Sequence, residues 1–333
     1  MIEILSYPFM QRALIAALLT GLIAPAIGTY VVQRRLSLLG DGLGHVALAG
    51  VGLALLTGTA PIPIAVAACI AGAVVVEVLR QRGKATGDVG LAVLFYGGLA
   101  AGVFLSGISG VGAGGLVQYL FGSLTTVTVG DLRLVALLAM VVLVPTLGLA
   151  PQLYAVSTDE DFARTQGLRV RLYHIAVVTL AAVTVALAMR TVGLLLVSAL
   201  MVIPVAAARN LVRGFTSGLV CAVAIGVITA VGGAVGSFYA NAAPGAFIVL
   251  LAIGVFMLSW PLSYLLRQRR AAALLPDSMD DDDELVAPHT VTESHPHRHE
   301  PGCGHPAVQH GDHTDFIHEG HRHAVHADHY DEH

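Results

Sequence analysis

Nine apolar segments, separated by short polar stretches, divide the first 270 residues of the chain. Each segment is about 17 to 22 residues long, and an α-helix needs about 20 mostly apolar residues to cross the hydrocarbon core of a bilayer. The second and seventh segments are short and interrupted by polar residues, so a count of eight is the alternative. The pattern therefore predicts membrane-spanning helices at about 13–32, 41–57, 62–79, 89–106, 132–150, 172–189, 192–208, 215–235 and 245–266.

Composition agrees with an all-α integral membrane protein. Only 12% of the 333 residues are charged and 56% are apolar, whereas soluble domains carry about 25% charged residues. So few charges cannot cover the surface of a water-soluble protein, but a surface that faces lipid does not need them. No basic groove suitable for nucleic acid is visible, so the bilayer itself is the expected environment.

Basic residues predict the orientation of the chain, because Lys and Arg concentrate in cytoplasmic loops close to the ends of spans. With nine spans, all five basic clusters fall on one side of the membrane, whereas eight spans would break this alternation. We therefore expect the N-terminus outside and the C-terminus inside. The clusters are Arg34–Arg35, Arg80–Lys84, Arg164–Arg171, Arg209–Arg213 and Arg267–Arg270.

Two longer connections carry their own predictions. The connection between the fourth and fifth spans is rich in Gly, Ser and Thr and is expected to contain a short helix, Leu116–Leu124. Residues 151–171 form the largest polar cytoplasmic loop, in which Ser157 or Thr158 is expected to cap a short helix and Gly167 to end it. Such a helix between long spans is a candidate docking site for a soluble partner protein. The alternative is a solvated connection without a partner.

The last 63 residues differ from the rest of the chain. They hold the acidic run Asp280–Glu284 and most of the histidines, with few large apolar residues. Because such a composition buries too little surface to fold alone, the chain is predicted to consist of a transmembrane domain, residues 1–270, and a disordered acidic and His-rich cytoplasmic tail, residues 271–333.

The start of the second span carries the strongest candidate site. Asp41 and His45 in the stretch Gly-Asp-Gly-Leu-Gly-His are four residues apart, so a helix places them on one face. A carboxylate and an imidazole are ligands for zinc or manganese, and ionisable residues at membrane depth usually have a function. The alternative is that Asp41 caps the helix while His45 packs inside the protein.

The tail is a second candidate for metal binding. Neutral imidazole suits zinc, copper, nickel and iron, but the spacing is not that of a fixed structural zinc site. A flexible, low-specificity metal buffer is the preferred interpretation, and a purely solvating tail or an engineered tag are the alternatives. The candidate ligands are His295, His297, His299, Cys303, His305, His321 and His323.

Three other polar features lie in the spans. Glu77 lies one turn before Arg80 and is expected to pair with it or to reach the cytoplasmic surface, and His174 is expected at the membrane interface. Pro204 is expected to kink or break the seventh span, which makes Ser198–Pro204 a candidate part of a pathway.

Five stretches, in this order, resemble the zinc/manganese/iron permease family of ABC transporters. The resemblance covers nearly all of residues 1–266. The stretches are VVQRRLSLLGDGLGHVALAGVGLALL, LVQYLFGSLTTVTVGDL, STDEDFARTQGLRV, VGLLLVSALMVIPVAAARNL and APGAFIVLLAIGVF.

The resemblance implies a type II-like ABC importer permease fold in a bacterial plasma membrane. It implies that two copies form the translocation path, and that an extracytoplasmic metal-binding protein delivers the metal. Asp41 and His45 are similar to the family's metal-contacting pair. It also implies that a cytoplasmic ATP-binding subunit docks on the loop that contains Asp159, Asp161, Ala163 and Gly167.

The chain lacks the G-x-x-x-x-G-K-[ST] phosphate loop, so it is expected to be a transport subunit rather than an enzyme. No permanent cofactor is expected, only a transported divalent metal. Zinc is preferred because of the His-rich tail, and manganese or iron is the near alternative. A gradient-driven metal carrier and a membrane-anchored metal buffer or sensor are the alternatives from other classes.

Overall fold

The computed structural model describes two compact units, Met1–Ala272 and Ala273–His333, which are treated separately below. The residues that it describes are 7–83, 87–110, 114–122, 127–273, 290–292, 306–310, 313–318, 321–326 and 329–332.

The first unit is helical. Nine helices in its described residues are long and apolar enough to span a bilayer, so the prediction of nine spans rather than eight is confirmed. They are α1 (Pro8–Gln33), α2 (Leu39–Thr57), α3 (Pro61–Gln81), α4 (Gly87–Ile108), α6 (Val129–Gly148), α9 (Val170–Val192), α10 (Leu194–Leu211), α11 (Phe215–Ala240) and α12 (Pro244–Ala273).

In the parts of the connections that the structure describes, three short helices lie between the spans: α5 (Gly114–Phe121), α7 (Ala150–Thr158) and α8 (Glu160–Thr165). The first confirms a short helix close to its predicted position. The start of α6 is fixed by a capping box, in which Thr128 Oγ1 accepts from the Asp131 amide and Asp131 Oδ2 accepts from the Thr128 amide. A defined helix start here separates α5 from the fifth span.

Helix α1 lies at the centre of the bundle and packs against α6, α9, α10 and α11. Two glycines allow its backbone to touch its neighbours. A Cβ on Gly21 would lie 2.8 Å from the carbonyl oxygen of Gly226 on α11, and one on Gly28 would overlap the backbone of Met201 on α10. The buried Tyr30 hydroxyl donates to the Thr146 carbonyl across 2.7 Å and joins α1 to α6. Small residues thus bring three helices into direct backbone contact, as in many membrane bundles.

The predicted cap of the short helix and a predicted helix break were wrong. Ser157 and Thr158 lie inside α7, and the residue that caps α8 is Asp159, whose Oδ1 accepts from the Phe162 amide at 2.9 Å. At Pro204 a kink or a break was expected. The break is absent, since α10 runs without interruption from Leu194 to Leu211, and a kink stays a prediction. Pro204 lies beyond the first turn of α10 and removes one backbone hydrogen-bond donor. A helix packed against its neighbours tolerates this loss.

Among its described residues, the second unit contains five short strands: β1 (Thr290–Thr292), β2 (Ala307–His310), β3 (His313–His318), β4 (His321–His326) and β5 (His329–Glu332). They form one antiparallel sheet in the order β1-β5-β4-β3-β2.

For these strands the predicted disorder of the tail was wrong. The prediction relied on overall composition. Within β3, however, two neighbouring apolar residues, the buried Phe316 and the half-buried Ile317, provide local apolar surface.

Candidate functional site

Helix α2 holds the predicted Asp41–His45 pair. Asp41 is half-buried in its first turn, and His45 follows one turn later with 9% of its surface exposed. The four-residue separation on a continuous helix places both on one face. The geometric part of the prediction is therefore present in the fold.

His45 lies in an apolar environment with an unused nitrogen. Its ring meets the Phe95 ring of α4 edge-on, with centroids 4.3 Å apart. Its buried Nδ1 has no hydrogen-bond partner among the described residues. An unpaired buried donor or acceptor costs about 1–3 kcal/mol, so a fold that keeps one usually has a use for it.

Close backbone contacts hold this part of α2 in place. A Cβ on Gly98 of α4 would lie 2.6 Å from the carbonyl carbon of His45, and one on Gly44 would overlap Leu194 of α10. Both neighbouring helices therefore touch α2 at the level of His45. A candidate ligand on such a rigid element keeps its position.

Asp41 lines a cleft of about 560 Å³ between the start of α2, α10 and α12. The walls are mainly apolar, and Ser37, Asp41 and Ser198 are the polar residues in them. His45 is not among the lining residues, so the structure brings Asp41 but not His45 to this cleft. Ser198, Val202 and Ile203 do line it, which places part of the predicted Ser198–Pro204 segment beside Asp41.

A buried ionic cluster joins α3, α9 and the residue that follows α1. Glu77 Oε1 accepts from Arg34 Nη2 at 2.8 Å, from Gln81 Nε2 at 2.9 Å and from Arg80 Nη2 at 3.0 Å. His174 Nδ1 lies 3.4 Å from the same oxygen. The expected Glu77–Arg80 pair is present, and His174 is buried against the cluster. Its expected position at the membrane interface stays a prediction.

Burial lowers the pKa of Arg34 below its ordinary value, and the neighbouring Glu77 carboxylate partly opposes that effect. Arginine starts from so high a value that it keeps its charge at neutral pH. Glu77 therefore has a charged partner inside the protein. The cluster connects the end of α1 to α3 and α9. Its carboxylate is therefore already paired and is not free to take part in transport.

Helices α7 and α8 form a compact protrusion. Ala163 is fully buried and packs with Val156 and Val170. Gly167 ends the turn with a left-handed φ of 78°, as predicted, and the Leu168 amide donates to the Ala163 carbonyl at 3.1 Å. Asp159, Ala163 and Gly167 thus build the protrusion.

The outer surface of the protrusion consists of other residues. Phe162 is 54% exposed, Asp161 is exposed, and Arg164 pairs with Glu160 at 2.6 Å on the surface. Sequence reasoning did not single out Phe162. An aromatic residue at the centre of the polar stretch STDEDFARTQ was the signal that could have found it.

A cationic cavity of about 620 Å³ adjoins this protrusion. Arg82, Arg169 and Arg171 make no ion pair with the described residues, while Arg80 pairs with Glu77 and Arg164 pairs with Glu160. Unpaired guanidinium groups attract acidic partners. The residues that carry charge in its lining are Arg80, Arg82, Glu160, Arg164, Arg169 and Arg171, with His174 beside them.

Of the seven candidate metal ligands in the tail, two lie in residues that the structure describes. His321 and His323 lie on β4, two residues apart. His295, His297, His299, Cys303 and His305 lie outside the described residues. Metal binding by the tail stays a prediction at all seven positions.

A sequence model of the ABC 3 transport family matches residues 6–263. The chain belongs to this family. It is accordingly a multi-pass membrane subunit of an ABC transporter, and it is a transport subunit rather than an enzyme.

Several related proteins are named for metal transport. "Probable metal transport system membrane protein" from Treponema pallidum (strain Nichols) is 35% identical and covers 80% of this chain and 99% of its own length. "Manganese transport system membrane protein MntC" from Halalkalibacterium halodurans is 31% identical and covers 78% and 88%. "High-affinity zinc uptake system membrane protein ZnuB" from Haemophilus influenzae is 28% identical and covers 75% and 97%.

The fold has a solved counterpart. The structure "PsaBC from Streptococcus pneumoniae in complex with Fab" matches 80% of this chain and 97% of the solved chain, with 26% identity and a TM-score of 0.71. The expected ABC importer permease fold is confirmed by this match.

Proposed function

We propose that this chain is the permease subunit of an ATP-driven importer of a divalent transition metal, with zinc as the first candidate. One observation carries the proposal. Asp41 stands in the wall of a cleft, and one helical turn away the buried His45 Nδ1 has no partner among the described residues. The metal names of the relatives support the same class of cargo.

Two ligands are too few for a transition metal. Zinc usually takes four, from nitrogen, sulfur and oxygen, and no group of three or more His, Cys, Asp or Glu in the described part of the chain is arranged to hold a metal ion. We expect a second copy of the chain to supply its own Asp41 and His45. The permease thus acts as a homodimer, with the metal path between the copies.

The cytoplasmic ATPase is expected to dock on α7 and α8. Phe162 offers an exposed aromatic anchor, and the adjoining arginine-lined cavity offers charge for acidic partner residues. The chain has no phosphate loop of its own, so nucleotide must bind on that partner. An extracytoplasmic binding protein delivers metal to the opposite face.

Contacts among the basic helix ends support an orientation with the N-terminus outside. Gln33 donates to Thr158 Oγ1 at 3.3 Å and accepts from Arg209, while Arg34 reaches Glu77. The ends of α1, α3, α7 and α10 therefore meet at one end of the bundle. Since basic residues favour the cytoplasmic side, we place that end in the cytoplasm of a bacterial plasma membrane.

The choice of metal depends on ligand chemistry. An Asp and a His suit zinc and also manganese. The many imidazoles of the tail favour zinc, because imidazole is a poorer ligand for manganese. Import of manganese or iron by the same machinery is the alternative.

The test is uptake of radioactive zinc into membrane vesicles that contain the chain, its ATPase and ATP. Asp41→Ala and His45→Ala should each lower uptake by about tenfold or more, since even the loss of an outer partner of a metal site has effects of that size. Thr57→Ala, at the far end of the same helix, is the control and should transport normally. An excess of manganese that abolishes zinc uptake would favour the alternative metal.

Three results would reject the proposal. Normal uptake by both Asp41→Ala and His45→Ala would remove the pathway role. Full uptake without ATP and the ATPase would instead favour a gradient-driven carrier, and loss of all function on deletion of residues 271–333 would favour a membrane-anchored buffer or sensor.

A further inference from the structure

The cationic cavity beside the protrusion carries more positive charge than the surrounding residues neutralise. Arg82, Arg169 and Arg171 line it without an ion pair to any described residue. The carboxylate among the described lining residues, Glu160, is already paired with Arg164 at 2.6 Å. Three guanidinium groups therefore remain for an anion that comes from outside the chain.

The start of α9 is a second feature of the cavity that favours an anion. The first turn of this helix has neither a side-chain cap nor an acidic residue, so no carboxylate of that turn stands at the positive end of the helix dipole. Arg169 and Arg171 flank the first helical residue, Val170. Phosphate groups bind well at such helix starts, and the planar guanidinium of arginine matches phosphate oxygens in pairs.

The cavity lies where two membrane spans end. Gln81 is the last residue of α3 and Val170 is the first residue of α9, and both line the cavity. Leu79 and Leu172, which lie close to these ends on the same two helices, are exposed apolar side chains, as expected where a helix faces lipid chains. Basic pockets between helix ends at this depth lie at the level of phospholipid headgroups.

We infer that the cationic cavity binds the headgroup phosphate of an anionic phospholipid. Arg82, Arg169 and Arg171 contact the phosphate oxygens, and the start of α9 faces the same group. The acyl chains lie along the apolar surface at Leu79 and Leu172. The volume of about 620 Å³ is within the range of about 300–1,000 Å³ that is common for sites of small molecules.

The lipid and the ATPase contact different parts of this cavity. Glu160 and Arg164 belong to α8 and stay available to the ATPase, whereas the contacts to the headgroup come from the ends of α3 and α9. Lipid binding requires only that this end of the bundle lies at a membrane surface. It is therefore independent of the cargo and of the Asp41–His45 pair, and a negative result in the uptake test leaves it unaffected.

The test measures lipid binding to the purified full chain in detergent by native mass spectrometry. Phosphatidylglycerol, which is anionic, is compared with phosphatidylcholine, which has a phosphate but is neutral overall. The site variant is Arg169→Gln with Arg171→Gln. We expect the parent chain to prefer phosphatidylglycerol, and the site variant to bind that lipid at least about tenfold more weakly.

The matched control is Arg35→Gln with Arg213→Gln. It removes the same charge from residues that follow α1 and α10 and do not line the cavity. All four arginines of the two variants are exposed, so both variants should keep the fold, which thermal unfolding verifies. We expect the control to retain the preference of the parent chain for phosphatidylglycerol.

Two additions distinguish the lipid from other anions. An excess of inorganic phosphate should leave phosphatidylglycerol bound, because the acyl chains also hold it. The purified complex with the ATPase should likewise keep the lipid, because the two partners contact different helices.

Three outcomes would overturn the inference. Equal loss of phosphatidylglycerol in the site variant and in the control would mean that the basic helix ends attract anionic lipid without a specific site. Displacement by inorganic phosphate would assign the cavity to a soluble anion. Release of the lipid when the ATPase binds would assign it to acidic residues of that partner.

Discussion

Arg34 Nη2 lies 2.8 Å from Glu77 Oε1, and both side chains are at least 97% buried. The pair links the residue after α1 to α3, and His174 brings α9 to the same oxygen. A buried carboxylate without a partner is strongly unfavourable, whereas a surface pair contributes little. The chain contains both kinds and allows a direct comparison.

We expect Glu77→Ala to lower the stability of the purified chain by about 3–5 kcal/mol, because it leaves Arg34 buried without a counter-charge. Glu160→Ala, which breaks the exposed pair with Arg164, should cost less than about 1 kcal/mol. Thermal unfolding in detergent, followed by intrinsic fluorescence or by loss of monodisperse protein, measures both. Equal losses in the two variants would contradict a structural role for the cluster.

Adjacent glycines on α4 provide a second matched pair. A Cβ on Gly98 would lie 2.5 Å from the Val46 amide nitrogen, whereas one on Gly97 would meet no atom within 4 Å. Gly98→Ala should therefore push α4 away from α2 and cost about 1–3 kcal/mol. Gly97→Ala should be neutral or slightly stabilising, since alanine favours helices. A Gly98→Ala chain as stable as its neighbour variant would mean that the two helices do not pack this closely.

The exposed Phe162 allows a test of the docking surface. We expect Phe162→Ala to reduce co-purification of the ATPase by at least about tenfold, because an aromatic anchor often contributes more than about 1.4 kcal/mol to an interface. Phe104→Ala, which removes an aromatic that is 66% exposed on α4, serves as the control and should keep the ATPase bound. Retention of the ATPase by both variants would place its docking surface elsewhere.

The left-handed backbone at Gly167 makes a further prediction about the same protrusion. A side chain at φ of 78° is disfavoured by about 1–2 kcal/mol, so Gly167→Ala should loosen the end of α8. Trypsin should then cut faster after Arg164 and Arg169 in the variant. Gly218→Ala, at an open position inside α11 with no neighbour within 4 Å, should leave the cleavage rate unchanged. Unchanged cleavage in both would argue against this turn.

The membrane helices could be predicted from the sequence because lipid imposes a simple requirement on length and polarity. The shared face of Asp41 and His45 followed from helix periodicity alone. By contrast, the cap at Asp159 was missed because three capping residue types lie side by side at 157–159, and local sequence does not decide between them.

Long-range contacts account for most of what sequence reasoning missed. Arg34 and Glu77 are 43 residues apart in the chain, and nothing in either neighbourhood indicates the other. The unpaired state of His45 Nδ1 likewise depends on Phe95 and on the approach of α4. Composition also concealed the tail strands, because an average over the whole tail hides a short apolar pair such as Phe316 and Ile317.

The direct backbone contacts of α1 with α10 and α11 limit how the bundle can change shape. At Gly21 and Gly28 no side chain separates the helix backbones. Sliding or rolling of one helix against another would therefore make main-chain atoms clash. These three helices must therefore travel as a single block during a transport cycle, and the hinges must lie outside that block.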